Sequence, residues 1–158
     1  MALLDPTKIL PTRFLEAKVF SLYMPADPNG HPYLVATVEG KPMAVGLAGD
    51  EKFYFWPIEK GPDENGFIVP DIKIGVDTGG ASEQSHMSTT GSIVRKGDKL
   101  GILARPGGGM SQKIFIQLCD ELPVGSQEVK IAFSKWEISL GEGTDKQVLF
   151  KFDLGKPA

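Results

Sequence analysis

Apolar and polar positions alternate with a period of two along much of this chain, the spacing of half-buried strands. The pattern is clearest near the C-terminus. Through residues 127–140, Val129, Ile131 and Phe133 alternate, and Trp136, Ile138 and Leu140 continue in the opposite phase. A bulge near Ser134-Lys135 would produce one such change of parity. After Gly141-Glu142-Gly143, Val148, Phe150, Phe152 and Leu154 alternate again, so the two segments are expected to pair as an antiparallel hairpin. Phe133, Trp136, Phe150 and Phe152 are then core residues.

Upstream the apolar runs are shorter: 33–38, 43–48, 53–58, 67–76, 92–95, 100–104 and 114–119, separated by glycine, proline or polar clusters. Lys96-Gly97-Asp98-Lys99 reads as a hairpin tip, and residues 77–91, with Met87 as the one large apolar side chain, as the longest polar loop. Residues 13–24 fit two patterns. Leu15, Val19, Leu22 and Tyr23 share a helical face behind Thr12 as N-cap, whereas Phe14, Phe20, Leu22 and Met24 share one side of a strand. The strand is preferred because everything downstream is β.

Eight to ten short strands without βαβ alternation or an internal repeat predict an all-β fold. The expected architecture is an antiparallel β-sandwich or jelly roll, with a small β-barrel as the alternative. Nineteen glycines and twelve prolines among 158 residues leave little room for long helices. Residues 1–12 contain Pro6 and Pro11 and no sustained period. They are read as an extended arm whose Leu3, Leu4, Ile9 and Leu10 meet another chain, with residues 13–158 as a single β domain.

Charge narrows the function. Seventeen Lys and Arg against twenty Asp and Glu give a net charge of −3, and no basic run offers the face that phosphate-backbone binding needs. Nucleic acid is therefore not an expected partner. A lone cysteine, Cys119, allows no internal disulfide. No signal peptide is evident and no apolar run reaches the ~18–20 residues of a membrane span. A soluble protein made in the cytoplasm, with no membrane partner, is expected.

Candidate chemistry is sparse. Ser85 and His86 are neighbours, a poor start for nucleophile–base geometry, and His31 lies in a proline-rich turn. Two histidines and one cysteine without ligand spacing predict no metal site, and no cofactor is expected. Asp27-Pro28-Asn29-Gly30 and Asp63-Glu64-Asn65-Gly66 open like calcium loops but continue as turns. The glycines at 107–109, with Lys113, lack the Gly-Lys-Ser/Thr ending of a phosphate loop. In Phe53-Tyr54-Phe55-Trp56, Tyr54 and Trp56 share one strand face and could form a platform for a sugar ring or another ligand. Lys96-Gly97-Asp98 is similar to an integrin-recognition tripeptide at an ordinary hairpin tip.

Asp77-Thr78-Gly79, behind Ile74 and Val76, resembles the active-site triplet of the aspartic proteases, in the short retroviral form that takes one Asp from each of two chains. The glycines at 107–109 stand where a flap could be, and residues 138–141 resemble the later apolar-apolar-Gly element. The resemblance implies a dimer in which two Asp77 carboxylates share a proton. As plain backbone chemistry, the triplet is a turn leaving a strand.

Three functions follow. The first is a non-enzymatic structural or interaction protein that self-associates as a homo-oligomer or decorates a larger assembly, such as a viral particle. The second is a carbohydrate- or small-ligand-binding β-module using Tyr54 and Trp56. The third is a dimeric retroviral-type aspartic protease using Asp77. The first is preferred, because it accounts for the arm, the long small-residue loop and the lack of catalytic side chains.

Overall fold

Each apolar run with a two-residue period forms a strand, and the chain cuts two of those runs into a pair of strands each. The computed structural model describes residues 4–61, 64–85, 87–107 and 112–155. Leu3, Asp63, His86 and residues 108–111 of the glycine-rich segment lie outside the described residues. The strands are β1 (Leu10–Arg13), β2 (Ser21–Pro25), β3 (Tyr33–Val38), β4 (Lys41–Gly46), β5 (Tyr54–Pro57), β6 (Asn65–Val69) and β7 (Ile72–Val76). They continue as β8 (Ala81–Glu83), β9 (Ile93–Lys96), β10 (Lys99–Pro106), β11 (Ile114–Cys119), β12 (Lys130–Phe133), β13 (Lys135–Leu140) and β14 (Gln147–Asp153).

The fold is all-β, and of the architectures weighed from sequence the small barrel is the one that closes. Strands β3, β4, β5, β10 and β11 form a ring in which each pairs with the next and β11 returns to β3 at Gln117 opposite Thr37. Only β5 and β10 run parallel, Arg105 opposite Tyr54 and Pro106 opposite Phe55. Closure depends on the length of β10. Its residues Lys99–Ile102 pair with β9 on the edge that Arg105 and Pro106 then give to β5. Gly101 marks the irregularity in the β10–β11 register, and a Cβ there would stand 2.4 Å from the Phe115 ring. The strands can approach so closely only without that side chain.

The same large sheet extends outside the ring, through β2, β6 and β1 at one end and β9, β12 and β8 at the other. A separate sheet has the order β14-β13-β7. Its Ile72, Trp136, Ile138, Leu140 and Phe152 share one core with Leu22, Leu34, Val45, Ile102 and Ile116 of the large sheet. A second core, on the other face, gathers Phe14, Tyr23, Val35, Ala44, Ile58 and Ile68. Burying aliphatic and aromatic side chains of this size contributes about 1.5–3 kcal/mol each.

The parity change at Ser134 is a change of sheet. β12 pairs with β9 and β8, whereas β13 pairs with β14 and β7. The expected β13–β14 hairpin is present, with its irregularity between Ile138 and Ser139. Likewise 67–76 divides at Pro70-Asp71 into β6, in the large sheet, and β7, in the small one. The polar stretch 77–91 contains a strand, β8, whose three residues are all exposed.

Residues 13–24 are neither one helix nor one strand. Phe14–Glu16 form a single 3-10 turn and β2 starts at Ser21, with Phe20 between them at φ 57°. That break lets Phe14 and Tyr23 bury together, their ring centroids 5.0 Å apart. The arm docks on its own domain from residue 4 onward. Asp5 caps a 3-10 turn over Pro6–Lys8, β1 pairs with β6, and Leu4 and Ile9 are half-buried against the main core. Leu10 is 45% exposed. Pro6 suits the start of a turn and Pro11 an edge strand, because neither place requires its missing N–H. Among the described residues no helix is long and apolar enough to cross a membrane.

Candidate functional site

Sheet β14-β13-β7 carries the chemistry that the sequence singled out. Where β7 ends, a cleft of about 480 Å³ opens over Trp136 and Phe152, and Asp77 lies on its rim. Three carboxylates line it, Asp77, Glu137 and Asp153, and so do three ammonium groups, Lys135, Lys146 and Lys151. Opposite charges thus balance. Lys146 Nζ stands 3.2 Å from Glu137 Oε2.

Asp77 is exposed and used locally. Its Oδ1 accepts the N–H of Gly79 at 2.8 Å, capping the 3-10 turn Thr78–Gly80, while its own N–H donates to the Lys135 carbonyl at 2.9 Å. This arrangement fixes where β7 leaves the sheet and accounts for the order Asp-Thr-Gly. Proton sharing would require a second carboxylate within hydrogen-bonding reach.

Tyr54 and Trp56 leave β5 on the same side and meet different neighbours. Trp56 stacks edge-on against Tyr33 with centroids 5.3 Å apart, at the margin of the second core. Tyr54 instead lines a cavity with Lys52, Arg105 and Lys113. Phe53 and Phe55 are buried.

Tyr33 titrates late. Burial first, then the Glu51 carboxylate that accepts its hydroxyl at 3.3 Å, pushes its pKa up to about 12. Ionisation is therefore harder in the folded chain than in the unfolded one. Tyr33 contributes stability that is complete below the unfolded value of ~10 and is lost as pH rises from there through about 12. Spectrophotometric titrations of wild type and Tyr33→Phe should differ by one tyrosine that ionises late. Loss of an early step instead would mean an open Tyr33.

The remaining candidates are structural. Ser85 Oγ accepts the Met87 N–H at 3.1 Å within a turn, its neighbour His86 lying outside the described residues. His31 is exposed. Asp27 Oδ1 accepts the Asn29 N–H and its carbonyl the Gly30 N–H, a closed turn. Burial and Asp120 push the Cys119 thiol up, away from the reactive thiolate. Among the described residues no group of three or more His, Cys, Asp or Glu could hold a metal ion.

Backbone edges gave no side-chain signal in the sequence. The large sheet ends at β1, which carries Pro11, and at β8, only three residues long. The small sheet ends at β7 and at β14, whose seven residues contain neither proline nor glycine. Among the described residues β14 pairs on one side only, with β13.

Comparison with known proteins follows the whole domain. A family model described as "Uncharacterised protein y4lG" matches residues 11–158. The protein of that description from Sinorhizobium fredii (strain NBRC 101917 / NGR234) is 28% identical over 150 residues, covering 94% of this chain and 92% of its own length. No solved structure matches.

Proposed function

The chain belongs to the y4lG family, and for this member we propose a non-enzymatic interaction protein that pairs with a second copy of itself through β14, as a self-associating unit of a larger assembly. The observation that carries this reading is the edge of β14 between Val148 and Phe152, in the longest sheet-terminal strand among the described residues, with Val148 42% exposed on it. An unpaired edge presents a row of N–H and C=O groups that another strand can satisfy, and proteins commonly blunt such edges with proline, lysine or shortness. Proline at β1 and brevity at β8 blunt the large sheet, whereas β14 has one lysine, Lys151, and one bulge, at Leu149, in seven residues.

Antiparallel pairing of β14 with its copy about a two-fold axis would join two three-stranded sheets into one of six. In that dimer the two β7 strands lie five spacings apart. At about 4.8 Å per strand, roughly 24 Å would separate the two Asp77 positions, far too much for a shared proton. Self-association through β14 and a protease dyad at Asp77 therefore exclude one another.

Light scattering on the eluting protein tests the reading. Wild type should run as a dimer or larger, and Val148→Lys, which places a charge on the edge, should shift it to monomer without loss of fold. A monomer at every concentration, or an unchanged oligomer in V148K, would contradict it.

A further inference from the structure

We propose that the cavity between the start of β5, the end of β10 and the turn at 87–90 binds a small phosphate monoester. Lys52, Arg105 and Lys113 line this cavity of about 440 Å³ together with Thr89, Thr90 and Tyr54. Among the described residues that line it there is no Asp or Glu. The chain as a whole carries −3, and the three cationic residues on this one cavity wall are a local excess of positive charge. An anion is drawn to such a local excess of positive charge.

The cationic groups are held in place. Lys52 Nζ sits 5.3 Å from the centroid of Phe53 and 5.5 Å from that of Phe152. Lys113 Nζ donates to the Ser88 carbonyl, fastening β11 to the turn. Arg105 Nε is buried, and among the described residues nothing accepts its hydrogen. The backbone of Arg105 is fixed by its pairing with Tyr54 in the one parallel contact of the barrel.

The donors select the ligand class. A phosphate monoester is dianionic near neutral pH and offers three oxygens, matching two ammonium groups and a guanidinium with threonine hydroxyls beside them. The volume lies within the roughly 300–1,000 Å³ of small-molecule pockets. It leaves room for an organic substituent against Tyr54 and Met87. A separate lysine cluster, Lys96, Lys99 and Lys130, includes Asp98 and serves as the control for general charge.

Calorimetric titration at constant ionic strength with inorganic phosphate, phenyl phosphate and benzoate tests the assignment. Phenyl phosphate should saturate with a Kd of order 1 mM or tighter and bind at least about tenfold better than benzoate, with affinity rising as pH passes ~6 and the dianion forms. Tighter binding of phenyl phosphate than of inorganic phosphate shows that the substituent is held; equal binding leaves the phosphate group as the whole ligand and removes the ester from the proposal. Arg105→Gln and, as a second variant should the first lose its fold, Lys113→Gln should each weaken binding about tenfold or more, against less than about twofold for Lys130→Gln. Absence of saturation, equal binding of benzoate, or equal weakening by Lys130→Gln would overturn the proposal.

Discussion

Replacing Trp136 by alanine is expected to cost about 4–5 kcal/mol, a large share of the roughly 5–15 kcal/mol that holds a domain together. The indole is 2% exposed, its ring lies 4.5 Å from that of Phe152, and its N–H donates to the Gly91 carbonyl at 2.9 Å. Alanine would leave a cavity between the two sheets and orphan that carbonyl. Trp136→Phe separates the two terms: most of the volume stays and the hydrogen bond goes, for about 1–2 kcal/mol. Denaturant melts measure both as a lower midpoint at constant slope. A W136A midpoint equal to wild type would mean that the small sheet does not pack on the barrel.

The second large effect is at the other end of the same hydrogen bond. Gly91 has φ +93°, and a Cβ there would lie 2.4 Å from the Phe53 ring, itself only 6% exposed. Its backbone cannot move aside, because the N–H donates to the Leu103 carbonyl at 2.7 Å while the carbonyl receives Trp136. Gly91→Ala therefore combines a left-handed conformation that L-residues resist, at ~1–2 kcal/mol, with overpacking at ~1–3 kcal/mol. A total of about 3 kcal/mol is expected. Non-additivity with Trp136→Phe should follow, since the two share one bond. A neutral Gly91→Ala would show that the 87–92 turn is free of the core.

Much of the fold was legible because burial alternates along a strand, and Ile72, Ile102, Ile116, Trp136 and Ile138 announced their faces. A bulge and a change of sheet both shift that alternation by one residue, so Ser134 could be located and not interpreted. β8 is three exposed residues, with no apolar signal to find. Prolines made residues 1–12 read as an extended arm, yet from residue 4 onward docking rests on Leu4 and Ile9 and on backbone pairing of β1 with β6, which side-chain patterns do not record.

Barrel closure was illegible for a related reason. It depends on β10 dividing one edge between β9 and β5, a property of strand length and twist. At the level of sites, Asp77-Thr78-Gly79 stood out because its residues are contiguous, and the structure accounts for them as a turn. Lys52, Arg105 and Lys113 come from three separated segments and share no spacing that a sequence could display. Tyr54 was picked out as a ring on a strand face, whereas the cations around it were not.

Hydrogen–deuterium exchange, followed as protein concentration is raised, reports most directly on association through β14. Amides of Gln147–Asp153 should gain protection with concentration in wild type and lose that gain in Val148→Lys, while the Pro11-bearing strand β1 stays unchanged. Exchange of β14 that is independent of concentration, or protection appearing instead around Asp77 at the end of β7, would contradict it.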